Sequence, residues 1–297
     1  MIDKIIGFIG AGNMGSAMIG GIVHSELVTT SQIIASAHSA ATLEKLQSTY
    51  SIETTLSNET VAERSDILFL AVKPNKFDEV IPQISSHVKS GCVIVSIAAG
   101  KTIAAIEDSF GKPVKLVRAM PNTPALVGEA MSALCVNQNV TPEELKEVQA
   151  LFNSFGKSEV ISESLMDAVI GVSGSSPAYV YMFIEAMADA AVADGMPRAQ
   201  AYKFAAQSVY GSAKMVLETG KHPACFIMIV AIGASTKSTT NPDTPTYTKT
   251  VVISAIERIT LLAPIFSVIT FAIDSAHPDA AISSPNTAPI TSTNTLF

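Results

Sequence analysis

Cysteine is scarce in this chain. Cys92, Cys135 and Cys225 are its only three, scattered and without C-x-x-C spacing. That argues against a disulfide framework or a zinc site and suits a reducing cytoplasm. Histidine is thin as well: positions 24, 38, 87, 222 and 277 show no metal-ligand spacing, so no metal is expected. No Ser/His/Asp or Cys/His arrangement for nucleophilic catalysis is discernible. The formal net charge is −7 and Lys and Arg form no run, which speaks against nucleic acid and lipid surfaces as partners. The apolar N-terminus does not read as a signal peptide, because Asp3 precedes it and glycines interrupt it. Nothing up to residue 223 approaches a membrane span.

What the chain does have is a glycine loop in the right place. Lys4-Ile5-Ile6-Gly7-Phe8-Ile9 reads as an apolar strand running into Gly10-Ala11-Gly12-Asn13-Met14-Gly15, followed by a helical run from Ser16 to His24. In such a G-x-G-x-x-G turn the first glycine allows the tight turn and the second lets backbone approach a pyrophosphate. The third lets helix pack on strand. The helix N-terminus then presents free N–H groups and the positive end of its dipole to the phosphates.

Strand and helix patterns alternate beyond it. Ile33–Ala37 reads as a strand and Ala41–Thr49 as a helix. Asp66–Val72 and Cys92–Ile97 are short, nearly all-apolar runs, as parallel strands covered on both faces should be, and Val114–Arg118 is another. This rhythm predicts a doubly wound α/β sheet over residues 1–162. Thr141-Pro142-Glu143-Glu144 carries the signature of a helix start, with Thr as N-cap and Glu144 placed for a capping box. Past about residue 162 the patterns are helical: Met166–Val172, Pro177–Asp194 and Pro197–Thr219, the last two divided at Gly195. The segment 163–223 thus predicts an all-helical second domain, one that buries part of itself against another copy.

Dinucleotide sites read the ribose at the end of the second strand, where an Asp or Glu selects NAD. Here that position reads Ala35-Ser36-Ala37-His38-Ser39, with no carboxylate. NADP is therefore favoured over NAD, with Ser36, Ser39 and His38 as candidate partners of a 2′-phosphate; an ordinary exposed loop histidine is the plainer reading of His38. Ala71-Val72-Lys73-Pro74 and Ala98-Ala99-Gly100 leave strands at the same edge and are candidates to line the cofactor. Asn58 is another candidate, or else the N-cap of a short helix. Asn122 and Thr123, in the loop Met120–Pro124, are candidates on the substrate side. So is Ser175, in the turn Gly171–Pro177, which otherwise reads as simple helix capping.

Taken in order, GFIGAGNMG, FLAVKP, VSIAAG, RAMPNTPA, SGSSPAYVYMFIEAMADA, DGMPR and ETGKHP resemble pyrroline-5-carboxylate reductase over residues 1–223. The resemblance implies NADPH- or NADH-dependent reduction of 1-pyrroline-5-carboxylate to proline, the last step of proline biosynthesis. It implies a cytoplasmic enzyme with a Rossmann domain and a helical, dimer-forming C-terminal domain. It carries Ile9, Gly10, Ala11, Gly12, Asn13 and Met14, with Ser36, Asn58, Ala71 to Pro74 and Ala98 to Gly100, over to the cofactor. The related β-hydroxyacid dehydrogenases place a lysine on the first long helix of the second domain. GVSGSSPAY has none, which favours imine reduction over alcohol oxidation.

After Pro223 the motifs stop. The Ser-Pro-Gly-Gly-Thr-Thr loop that the family uses for the substrate is missing, and no catalytic residue can be named. Residues 224–297 form a Ser/Thr/Pro-rich tail with seven charged residues, pointing to a frame change or an aberrant join. Within it Ile259–Ile273 is a short apolar run broken by Pro264, and Ser283–Phe297 reads as disordered. The alternative functions are a catalytically impaired dinucleotide-binding remnant and another Rossmann imine reductase.

Overall fold

Strands Ile6–Ile9 (β1), Ile33–Ser36 (β2), Ile67–Leu70 (β4) and Val93–Ser96 (β5) are buried at every residue. That explains their unbroken apolar sequences: a parallel strand with helices on both faces has no solvent side to mark with polar residues. With Glu53–Thr55 (β3), Lys115–Met120 (β6), Ala130–Val136 (β7) and Gly156–Val160 (β8) they form one sheet in the order β3-β2-β1-β4-β5-β6-β7-β8. Pairing is parallel from β3 to β6, β7 runs antiparallel to β6, and β8 runs parallel to β7. The structure, a computed structural model, describes residues 2–226. The chain divides into two compact units, Met1–Val180 and Tyr181–Phe297, and the whole sheet lies in the first.

Each face of the sheet has its own apolar layer. On one, Met18, Ile19 and Ile22 of helix Asn13–His24 (α1) and Val148, Leu151 and Phe152 of helix Pro142–Asn153 (α6) cover Phe8 and Phe69. Those two rings stack at 4.6 Å between centroids. On the other face, helices Asn58–Arg64 (α3), Phe77–Ile84 (α4) and Ile103–Phe110 (α5) bring Val61, Phe77, Ile81, Ile106 and Phe110 against Ile9, Leu68 and Ile94. Helix Ala40–Tyr50 (α2) follows β2.

The doubly wound α/β sheet expected from the sequence is present, with strand ends shifted by a residue or two. Strands β3, β7 and β8 escape the apolar-run criterion. β3 has only three residues, none buried, and Lys157 and Glu159 of β8 are not buried either. The capping box at Thr141 forms: its hydroxyl accepts from Glu144 N, and Glu144 accepts from Thr141 N at 3.0 Å. The helix expected over Met166–Val172 is present but widens after Val169. Met166–Val169 (α7) gives way to a wide turn, Ile170–Gly174, closed by Ser175 N donating to Ile170 O at 2.8 Å.

Helices Ser176–Ala193 (α8) and Arg198–Thr219 (α9) follow. The break between them is at Gly195, whose φ of +95° is left-handed. In the second unit Ala188 meets Ala201 and Ala205 across these helices, and small side chains there permit a close approach. No helix of the described residues is long and apolar enough to cross a membrane. The run Ile259–Ile273, the tail Ser283–Phe297 and nearly all of 224–297 lie outside the described residues.

Candidate functional site

The sheet order reverses at β1, since β2 lies on one side of it and β4 on the other. Ligands of open α/β sheets bind in the crevice this reversal leaves at the carboxyl ends of the strands. Four strand ends are laced together there. Gly10 N donates to Ser36 O at 3.0 Å, Ala71 N to Ile9 O at 2.8 Å and Ile97 N to Leu70 O at 3.3 Å. The cofactor candidates at Ile9–Gly15, Ser36, Ala71–Pro74 and Ala98–Gly100 therefore converge on one rim, from β2 through β1 and β4 to β5.

The glycines of the loop answer to different neighbours. Gly10 has φ +96°, and a Cβ on it would lie 2.7 Å from Ala71 O, so both its conformation and the β1–β4 contact require glycine. A Cβ on Gly15 would lie 2.5 Å from Gly10 O, where helix α1 seats on the loop. A Cβ on Gly12 would meet nothing within 4 Å. Gly12 is also the N-cap of α1, with no side-chain cap and no acidic residue in the first turn. The first-turn amides of α1 thus open onto free space, the requirement for holding a pyrophosphate.

The β2 end differs in detail from the sequence expectation. Ser36 is fully buried and its hydroxyl donates to Asn58 Oδ1 at 2.7 Å. Ser39 caps α2, accepting from Thr42 N at 3.3 Å. Both hydroxyls are engaged, and His38 stands exposed beside them. Asn58 is not the cap of α3: that role is taken by Ser57, which accepts from Thr60 N at 3.0 Å. Asn58 instead ties β2 to α4, donating to Gln83 Oε1 at 3.1 Å. At the β4 end Lys73 is exposed and has no ion pair among the described residues. Lys76, three residues on, is spent on Glu79 at 2.7 Å and holds that carboxyl below its usual range.

Among the substrate-side candidates, Asn122 is a structural tie. Its Oδ1 accepts from Met131 N at 2.9 Å and its Nδ2 donates to Ser173 O at 3.1 Å. With the residue 9% exposed, little of the amide remains for a ligand. Thr123 is exposed at the head of the short turn Thr123–Val127, and Ser175 is half-buried. Sequence reasoning missed Arg118, only 5% exposed and paired with Glu163 at 2.8 Å. A lone cation inside the apolar run LVRAM was the available signal, because a buried charge needs a partner. A cavity of about 510 Å³ runs along the outside of α1 past Gly20, Lys45, Tyr50 and Leu126, meeting the glycine loop at Asn13. It lies away from the strand ends. Among the described residues no cluster of His, Cys, Asp and Glu could hold a metal ion.

Comparison with known proteins decides the family. The chain is 50% identical over 236 residues to the pyrroline-5-carboxylate reductase of Escherichia coli (strain K12), covering 79% of this chain and 88% of that protein. This chain belongs to the pyrroline-5-carboxylate reductase family. Residues 163–257 match the pyrroline-5-carboxylate reductase dimerisation family, a span running past Pro223, where the motifs noted above stop. Residues 5–100 match the family described as NADP oxidoreductase coenzyme F420-dependent. Two solved reductases have the same architecture. That of Coxiella burnetii is 27% identical, with a TM-score of 0.77 over 93% of this chain and 98% of that one. The Plasmodium falciparum enzyme, solved with NADP bound, is 29% identical, with a TM-score of 0.73 over 93% and 96%. The expected fold, an oxidoreductase with a Rossmann-type dinucleotide domain, is thus borne out together with the family.

Proposed function

We propose that this chain reduces 1-pyrroline-5-carboxylate to proline with NADPH in the cytoplasm, as the last step of proline biosynthesis. The observation that carries the reading is the open, uncapped N-terminus of α1 at Gly12, set at the reversal of the sheet order in a chain half identical to a named reductase. When bound, the reduced dinucleotide supplies the hydride. A protonated imine is already electrophilic, so this chain's task is to bind, orient and exclude water rather than to supply a strong acid or base. In this reading the α1 amides hold the pyrophosphate, and the backbone of Ala71–Pro74 and Ala98–Gly100 flanks the reacting half of the cofactor. The identity across 236 residues favours a working reductase over an impaired remnant.

NADPH is preferred to NADH in this reading because no carboxylate stands at the end of β2 to repel a 2′-phosphate. The P. falciparum relative with NADP bound supports it. Ser36 and Ser39 contribute little, their hydroxyls being engaged, which leaves the exposed His38 as the side chain at the β2 end for that phosphate. Residues 163–223 assemble with a second copy. Support comes from the match to a dimerisation family and from aromatic surface on the second unit, where Tyr181 and Phe204 are 60% and 67% exposed.

The test is turnover by the full chain. NADPH oxidation followed at 340 nm should depend on added 1-pyrroline-5-carboxylate and yield proline. Tight NADPH binding without turnover would sink the reading. Titration with NADH alongside NADPH checks the coenzyme preference, and light scattering checks the dimer.

A further inference from the structure

The loop from β5 to α5, Ile97–Thr102, is anchored at both ends by side chains. At its start Ala98 N donates to the buried Ser96 Oγ at 3.4 Å. At its far end Thr102 caps α5 by accepting from Ala105 N at 3.1 Å. The next amide, Ile103 N, is one that no helix can satisfy from within. It donates to Glu163 Oε1 at 2.8 Å, sixty residues further along the chain. The same oxygen accepts from Arg118 Nη1 at 2.8 Å. Arg118 enters from β6, the strand beside β5, at the register position of Ser96. One carboxylate therefore ties the end of the loop to the strand next to it.

The charges suit the arrangement. Glu163 lies at the N-terminus of α5, where a negative charge is favoured by the helix dipole, and the Arg118 guanidinium stands beside it at 2.8 Å. The neighbouring Cys135 lies opposite Arg118 in the β6–β7 pairing. Burial first, and then the Glu163 charge, push its thiol up to about 11. No cation besides Arg118 serves the carboxylate, and Arg118 has no other carboxylate partner, among the described residues. Gly100 lies inside the clamped loop at φ +74°, a conformation the loop must hold.

We propose that Arg118 and Glu163 are positioning residues for the dinucleotide. Through Ile103 N they hold the Ala98–Gly100 backbone at the height of the β1 and β4 ends, where the reacting half of the cofactor lies. This rests on the cofactor site assigned above. Neither side chain touches the cofactor, and their effect passes through the loop.

Removing one partner would strand a buried charge and destabilise the fold whatever the role of the pair. The deciding variant therefore replaces both, Arg118→Met with Glu163→Met, which is close to neutral for stability at many buried pairs. For the full chain we expect a melting temperature near that of the unaltered protein. NADPH binding, titrated by nicotinamide fluorescence, should weaken about tenfold, the worth of one charge-assisted hydrogen bond. NADPH affinity equal to the unaltered protein's would overturn the proposal. Glu163→Gln keeps an acceptor for Ile103 N but leaves the Arg118 charge without its carboxylate, so it should melt lower while its folded fraction binds NADPH within about threefold of the original. A loss as large as the double variant's would overturn the role given to the Ile103 contact. If the unaltered chain does not bind NADPH, the cofactor assignment has failed instead. Amide exchange at residues 98–103 then reads the clamp alone, slow in the unaltered chain and faster in the double variant. Equal rates would overturn it.

Discussion

The two ends of the sheet are held together by different physics. From β2 through β1 and β4 to β5 every residue is buried and, Ser36 and Ser96 at the strand ends aside, the contacts are apolar, centred on the Phe8–Phe69 stack with Phe152 at 5.9 Å from Phe69. From β6 to β8 the chain leaves the β-α-β repeat, β7 turns antiparallel, and buried polar side chains do the joining. Asn137 accepts from Leu116 N at 3.1 Å and donates to Val114 O and Glu107 Oε1 at 2.7 Å each. Asn122 joins β7 to the turn at Ser173, and Arg118 with Glu163 joins β6 to α5. A repeated parallel unit satisfies its backbone by local crossovers. Where the repeat breaks, side-chain amides and one ion pair take over the groups left without partners.

The largest expected effect comes from the apolar end. Phe69→Ala should cost about 3–5 kcal/mol, read by urea denaturation, because the cavity opens between the Phe8 and Phe152 rings. A loss below about 1 kcal/mol would show that the stack does not carry this end. At the polar end Asn137→Leu should cost about 1–3 kcal/mol, since the buried Leu116 N–H loses its partner while the volume is kept, Val114 O retaining Asn139 Nδ2 at 2.9 Å. Were it neutral, the contrast between the ends would collapse.

A smaller effect follows from pH. Cys92, 3% exposed at the head of β5, has its thiol pushed up to about 12, first by burial and then by the Asp66 charge. In the unfolded chain the thiol ionises near 9, so between about pH 9 and 12 the folded state holds a proton that the unfolded state has released. Stability from this group is complete below pH 9 and falls by about 1.4 kcal/mol per pH unit above it. Lysines and tyrosines titrate over the same range, so the check is the difference in slope between the unaltered protein and Cys92→Ala. Identical slopes would contradict it.

This contrast also sets what could be read from the sequence. β1, β2, β4 and β5 announce themselves as apolar runs because both of their faces are covered, and the loop Gly10–Gly15 because its chemistry is local. The capping box at Thr141 is legible for the same reason: both partners lie within four residues. Asn122, Asn137 and Arg118 could not be read this way. The partners through which they tie distant segments stand between 9 and 51 residues away, and nothing in the local pattern separates a buried tie from a surface amide. Ser36 shows the converse. Its hydroxyl reads as a candidate ribose partner in the sequence, where its tertiary bond to Asn58, 22 residues away, is invisible.

The most direct test of the account separates Gly12 from Gly10, two positions that look alike in sequence. Gly10→Ala should lose both stability and cofactor, from its φ of +96° and the contact with Ala71 O. Gly12→Ala meets nothing in the structure, and its φ of −70° suits any residue. Its cost should stay within about 1 kcal/mol in a thermal melt, while NADPH binding falls at least about tenfold as the methyl group fills the pyrophosphate's place. A Gly12→Ala protein that melts normally and binds NADPH as tightly as the original would contradict the placement of the dinucleotide at this loop.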